Sequence, residues 1–186
     1  MSFGDFVRDI VPILQLCIAS LGLVSVILLW RQIKDAKHWN QINATFALVA
    51  HDRFVPFQRE MYDAFGEEGI SLLHVRQLGE AELAAIARND RLQRAVINYL
   101  NYVDSFCAGV NYGALENDLA YALFSEHILD AWYTFQPYIK MQQDHTPVDI
   151  FLEAEKLAGS WDAINEKKLK EKKQRRLNDG LRKRID

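Results

Sequence analysis

The sequence predicts an all-α protein in which a single N-terminal transmembrane helix continues into a small cytoplasmic helical bundle. Three observations carry this expectation. Ile10 to Trp30 holds no charged residue over 21 positions. Two later stretches repeat apolar residues at three-to-four spacing. Gly and Pro are sparse, 9 and 4 of 186 residues, which suits long helices and short connections better than many short strands.

The span is argued from length and composition. An α-helix of about 20 residues covers about 30 Å, the hydrocarbon thickness of a bilayer. Thirteen residues from Ile10 to Trp30 are Leu, Ile or Val. At roughly −0.5 kcal/mol each they favour insertion by about −6 kcal/mol, less what Pro12, Gln15, Ser20, Gly22 and Ser25 subtract. Pro12 costs little in the first helical turn, where its missing N–H has no partner to lose. A cleaved signal peptide would need a basic leader, a shorter apolar core and a small-residue cleavage site. Here Asp5 and Asp9 flank Arg8, and Trp30-Arg31-Gln32 follows the core. A soluble domain of this size rarely buries such a segment on every face. Arg31, Lys34 and Lys37 follow the span against Arg8 before it, so the positive-inside rule places the N-terminus outside and the C-terminus in the cytoplasm of the inner membrane. Trp30 and Trp39 suit the interface.

Four regions follow: a short N-terminal segment (1–9), the span (10–30), a helical cytoplasmic domain (31–160) and a basic helical tail (161–186). Roughly 150 residues outside the span are enough for one domain with its own core. No Gly or Pro interrupts Leu23 to Val55, so the span is expected to run on as the first helix of the domain. Ile33, Ala36, Trp39 or Asn40, Asn43, Phe46 or Ala47 and Ala50 form its mixed seam. Val55-Pro56 marks a boundary or kink before a short helix over 57–65. Gly66 to Gly69 reads as a loop, Ser71 to Leu78 is ambiguous and ends at Gly79, and Glu80 to Asn89 reads as helix. Asp90 is a good N-cap for the clearest helix, marked by Leu92, Val96, Tyr99, Val103, Phe106 and Val110 and stopped at Gly113. The next begins near Asn117 or Asp118 and carries Tyr121, Phe124, Ile128, Ala131, Phe135 and Tyr138, with Pro137 ending or kinking it. The short loop between them predicts antiparallel packing. Thr146-Pro147 opens a further helix. Gly159-Ser160 breaks it, and a last helix from Trp161 grades into the tail.

The stretches Asn98-Tyr99-Leu100-Asn101-Tyr102-Val103-Asp104 and Ala108-Gly109-Val110-Asn111-Tyr112-Gly113, with Trp132 and Pro137-Tyr138-Ile139, resemble the bacterial single-span helical family of domain-of-unknown-function type 4760. The likeness covers roughly residues 30 to 160. It implies an anchored helical fold and brings no established activity. Asp104 departs from that pattern, where Glu is expected. The resemblance suggests a residue there that faces inward toward a backbone or Arg group.

No catalytic, cofactor or metal residue is assigned. None of His38, His51, His74, His127 and His145 stands four residues from another, and none has Glu three residues before it. His51-Asp52 lacks the further ligands a metal phosphohydrolase needs. Cys107 lies on an apolar stripe and Cys17 in the span, so a disulfide is not expected. There is no Gly-rich phosphate loop and no GxSxG or SxxK motif.

Two surfaces remain. Tyr99, Tyr102, Asp104, Trp132 and Tyr133 are core residues on the plain reading and a candidate partner groove on the sharper one. From Lys167 onward ten Lys or Arg face three Asp or Glu, a local +7, which leaves −10 on the first 166 residues of a chain whose net charge is −3. Lys167, Lys168, Lys170, Lys172, Lys173, Arg175 and Arg176 are candidates for contact with anionic lipid headgroups, ranked above nucleic acid because a tethered tail is already close to lipid. The expected function is a non-enzymatic interaction or scaffold protein with the lipid bilayer and a protein partner, or a second copy, as its contacts. A membrane effector acting through association of its span, and an anchored hydrolase with a scattered site, are the alternatives.

Overall fold

The computed structural model describes residues 3–50, 54–72, 76–146 and 149–182, with side chains over 14–48, 54–72, 76–146 and 149–175. His51, Asp52, His74 and Pro147 lie outside the described residues. Among the described residues there are six helices and no strand. The chain forms two compact units, Met1–Asn43 and Ala44–Asp186.

The first unit is helix alone. α1 runs Phe3–Ala50, 48 residues without a break, in keeping with the absence of Gly and Pro after Leu23. Every described side chain from Leu14 to Asn40 is exposed, including the Leu and Ile of the apolar stretch. By length and composition it is the one helix among the described residues apolar enough to cross a membrane. Ser20 and Ser25 each donate a hydroxyl to the carbonyl four residues back, both at 2.8 Å, so their polar groups are satisfied within the helix.

The second unit is a bundle built around α4. It contains the end of α1, then α2 (Phe54–Glu67), α3 (Glu80–Arg88), α4 (Asp90–Asn111), α5 (Asn117–His145) and α6 (Leu152–Arg182). α4 packs against α2, α3, α5 and α6, and α5 packs against α6. The stripe expected on α4 is the buried one: Leu92, Val96, Tyr99, Val103, Phe106 and Val110 are all in the core. Tyr99 meets Phe135 at 5.9 Å and Phe106 meets Phe124 at 4.9 Å between ring centroids. The order reverses between the two helices, so α4 and α5 run antiparallel. Gly113 at φ 69° turns the chain between them, and Ala114 and Leu115 both donate to the Gly109 carbonyl.

Several boundaries differ from expectation. α2 starts at Phe54 with Pro56 inside its first turn, where proline is tolerated, and extends to Glu67. Gly79 begins an element rather than ending one: it is the N-cap of α3, and its N–H donates to Glu82 at 2.9 Å. The N-cap of α4 is Asn89, not Asp90. The Asn89 side-chain oxygen accepts from the backbone N–H groups of Arg91 (2.9 Å) and Leu92 (3.2 Å), while its amide donates to Glu68 at 2.7 Å. Pro137 does not end α5, which continues to His145. One turn before it, the Thr134 carbonyl accepts the Leu78 N–H at 2.9 Å, so a loop residue shares the hydrogen bonding of the turn that proline disturbs.

The largest differences concern α6. Thr146 caps the end of α5 instead of opening a helix, and α6 starts at Leu152. Phe151, at φ 58°, adopts the left-handed conformation and buries its ring. Gly159-Ser160 does not break the helix. Both are exposed, while Ala154, Leu157, Ala158 and Trp161 on the opposite side are buried. Burying that face outweighs the roughly 1 kcal/mol that an interior glycine costs. Trp161 belongs to the core, fully buried, with its indole N–H on Asn117 at 3.2 Å and its ring edge-on to Tyr121.

Candidate functional site

The two surfaces singled out in the sequence fare differently. Tyr99 and Trp132 are buried in the core rather than lining a groove. Tyr102 is half-buried, stacked on Phe57 at 5.2 Å and edge-on to Phe54 at 4.9 Å. Tyr133 is exposed, and its hydroxyl hydrogen-bonds the Asp162 carboxylate. That bond, reinforced by desolvation, pushes the Tyr133 phenol up to about 12. Burial raises Tyr99 well above its ordinary value too.

Asp104 is the informative one. Its carboxylate accepts the backbone N–H of Ala154 at 2.9 Å. Ala154 is the third residue of α6, the position an N-cap side chain ordinarily serves. Phe151, just before the helix, has no side-chain acceptor to offer, so α4 supplies the cap across the helix interface. The inward-facing role toward a backbone group expected for this position is therefore filled by aspartate.

Next to Ala154 on α6, and about two turns beyond Asp104 on α4, Glu153 gathers a second set of bonds. The Asn111 amide donates to its carboxylate at 2.7 Å and to its backbone carbonyl at 3.0 Å. The Tyr112 hydroxyl donates at 3.3 Å, and Lys156 pairs with it at 2.7 Å. Lys156 and Asn111 hold the Glu153 carboxyl below its ordinary range, and Glu153 in turn raises Lys156. A cleft of about 350 Å³ lies beside this joint, lined by Asn101, Asp104, Asp149 and 150–153. Of its carboxylates, Asp104 and Glu153 are spent on the helix junction. Nothing in the sequence marked Glu153, because its partners on α4, Asn111 and Tyr112, lie more than 40 residues away.

Across the α4–α5 turn from this joint, Thr45 is fully buried and its hydroxyl oxygen accepts the Glu116 N–H at 3.0 Å. Glu116 then caps α5 by accepting from Leu119 at 2.6 Å. Within the second unit's share of α1, Thr45 is buried and Leu48 packs against the core, whereas Phe46 and Ala47 of the expected seam are exposed. An apolar cleft of about 240 Å³ borders this end, lined by Leu48, Tyr102, Phe106 and Leu115 among others.

Candidate chemistry is engaged elsewhere. Cys107 is fully buried, and burial pushes its thiol far above the range in which a thiolate forms. His127 packs edge-on against Phe54, and the His145 ring bonds the Met141 carbonyl at 2.7 Å. The described residues contain no group of three metal-ligating side chains.

The basic tail is the second half of α6. Lys167, Lys168, Lys170, Lys172, Lys173 and Arg175 are all exposed, and the Arg176 side chain lies outside those described. Lys168 sits 4.0 Å above the Tyr121 ring, and Lys170 pairs with Glu166 at 3.4 Å.

Residues 19–161 match the family described as Domain of unknown function (DUF4760). The chain belongs to this family. The DUF4760 match ends on Trp161, the last fully buried anchor of α6, so the basic half of the helix lies beyond it. The Asn111-Tyr112 pair of the resemblance supplies two of the donors to Glu153, which gives that part of the DUF4760 pattern a structural role at the α4–α6 joint. No curated protein and no solved structure matches the chain.

Proposed function

We propose that this DUF4760 protein is a single-pass protein of the bacterial inner membrane whose cytoplasmic helical domain binds other proteins and does not catalyse a reaction. The observation that carries this reading is the uncovered apolar surface of α1. From Leu14 to Trp30 every side chain is exposed, with Leu16 at 70% and Leu21 at 67%. A continuous apolar surface of that extent calls for a covering, and an α-helix, whose backbone groups are all paired internally, is suited to lipid. Lys34 lies 5.9 Å from the Trp30 ring centroid, a pairing suited to the headgroup boundary. Arg31, Lys34 and Lys37 support the orientation with the domain inside. The interaction role draws on the engagement of Asp104, Glu153 and Cys107 in packing and capping, which leaves the exposed faces of α5 and α6 as the surfaces open to contact.

Alkaline carbonate extraction tests the anchor: the full chain stays with the membrane pellet, and a chain lacking residues 10–30 is released. Release of the full chain would overturn the anchor. A periplasm-active reporter fused after Asp186 is expected to be silent, and activity there would reverse the orientation. For the interaction role, the detergent-solubilised chain is expected to carry a partner or a second copy in native mass spectrometry. A bare monomer at micromolar concentration would count against it.

A further inference from the structure

We infer that the basic half of α6 from one copy docks on the acidic outer face of α5 of a second copy. This deepens the interaction reading above and rests on it, naming the partner as the same chain.

The acceptor face comes from a gap in the sequence. From Ala95 through Ile139, a run of 45 residues, there is no Lys or Arg, while Asp104, Glu116, Asp118, Glu126 and Asp130 all fall inside it. Asp104 and Glu116 are used as caps. Asp118, Glu126 and Asp130 are exposed on α5 and make no ion pair among the described residues. Spaced eight and four apart, they share one outer side of the helix with Leu123, 42% exposed, and Tyr133, 43% exposed. The face is therefore predominantly acidic, with Arg76 at its Asp130 edge and the Leu123 side chain and Tyr133 ring as apolar contacts, a composition suited to a cationic helix that carries an occasional leucine.

α6 is such a helix. Beyond Ile164 its described side chains are all exposed, six are cationic, and Leu169 is 53% exposed. Lys168, Lys172 and Arg175 continue the stripe that Leu157, Trp161 and Ile164 bury against the bundle. Past Lys168, which rests on Tyr121, Lys172 and Arg175 make no ion pair among the described residues. Unbroken helix to Arg182 carries the segment onward from Tyr121, near the start of its own α5, rather than back along it. The dimensions agree: Lys167 to Arg182 and Asp118 to Tyr133 each span about 22 Å of helix. Cations surround the segment instead of gathering opposite an apolar face, unlike a helix built to lie in a bilayer interface. A +7 segment on a −10 body gives two copies opposite charges to bring together.

The test uses the full chain in neutral detergent. One copy carries Glu126→Cys and a differently tagged copy carries Lys170→Cys, both with Cys17→Ser, and a bismaleimide traps them. Cross-linking between the two tags is expected. It should fall at least about fivefold on going from 0.1 M to 1 M salt, where the screening length drops from about 10 Å to about 3 Å. Replacing Lys168, Lys172 and Arg175 with Glu should abolish it. Adding Asp118→Lys and Asp130→Lys to those reversed tails should restore it, a rescue that misfolding or nonspecific contact does not produce. Cross-linking that ignores both salt and charge exchange overturns the inference. So does a tail that binds vesicles of phosphatidylglycerol while copies fail to cross-link, the result expected for a lipid-binding tail. If copies fail to cross-link yet the chain holds a different protein in native mass spectrometry, the inference fails and the interaction reading stands.

Discussion

The Asp104 carboxylate of α4 accepts the Ala154 N–H in the first turn of α6 at 2.9 Å, so one helix caps the other. A helix N-terminus leaves its first N–H groups without partners. Most helices solve this with the residue just before them. Here that residue is Phe151, which turns at φ 58° to bury its ring, and the cap comes from a neighbour 50 residues earlier in the chain.

Asp104→Ala should therefore destabilise the domain by about 1–2 kcal/mol, the usual loss for an N-cap acceptor. Asp104→Asn keeps a side-chain oxygen and should retain most of that. Urea titration of the full chain in detergent, followed by the fluorescence of buried Trp132 and Trp161, reads the difference. Equal losses for the two variants would show that the acceptor is not what matters.

Acid should weaken the domain through Glu68 and Glu153. Both carboxyls sit below their ordinary 4.5, Glu68 through donors from Asn89 and Arg88, Glu153 through Lys156 and Asn111. A group whose folded pKa is depressed contributes stability above its unfolded pKa and loses it as pH falls through the folded value. The melting temperature should thus hold from neutrality to about pH 5 and decline below 4.5. Replacing both residues with Gln should flatten the decline while lowering the value at neutral pH.

Cys107 should resist alkylation in the native chain. It is fully buried, and its thiol is held protonated by that burial. With Cys17→Ser to remove the other thiol, iodoacetamide should label the chain only in denaturant. Labelling within minutes in native detergent solution would place Cys107 nearer the surface than its burial allows.

Gly159→Ala should stabilise α6 by about 1 kcal/mol, since glycine inside a helix gives up more freedom than alanine. The position is exposed, and a Cβ there meets nothing within 4 Å. A rise in the urea midpoint with an unchanged slope is the expected result, and a fall would mean that the bare backbone is needed for a close approach.

The bundle was largely legible because its signals are local. Apolar residues at three-to-four spacing marked the buried faces of α4 and α5, and Gly113 marked the turn between them. Charge-free length marked the apolar stretch of α1. What escaped was decided by tertiary contact. Gly159-Ser160 looked like a break until Leu157 and Trp161 proved to be buried on the other side. Thr146 looked like a cap because nothing local shows that Asp104 performs that task for α6. Likewise, the aromatic residues of the candidate groove could not be divided into core and surface by spacing alone. Tyr99 and Tyr102 differ by three positions, yet only Tyr99 is fully enclosed.

The hairpin of α4 and α5 offers trypsin no target between Arg94 and Lys140. Even the fully unfolded chain releases most of both central helices, with their turn, as one large peptide. The end of α6 is meanwhile cut into pieces too small to sequence. Peptide mapping with trypsin, or with amine-reactive labels, thus samples the periphery of this protein and passes over its centre. A protease that cleaves beside acidic or aromatic residues is the tool that would report on the face where Glu126 and Asp130 stand.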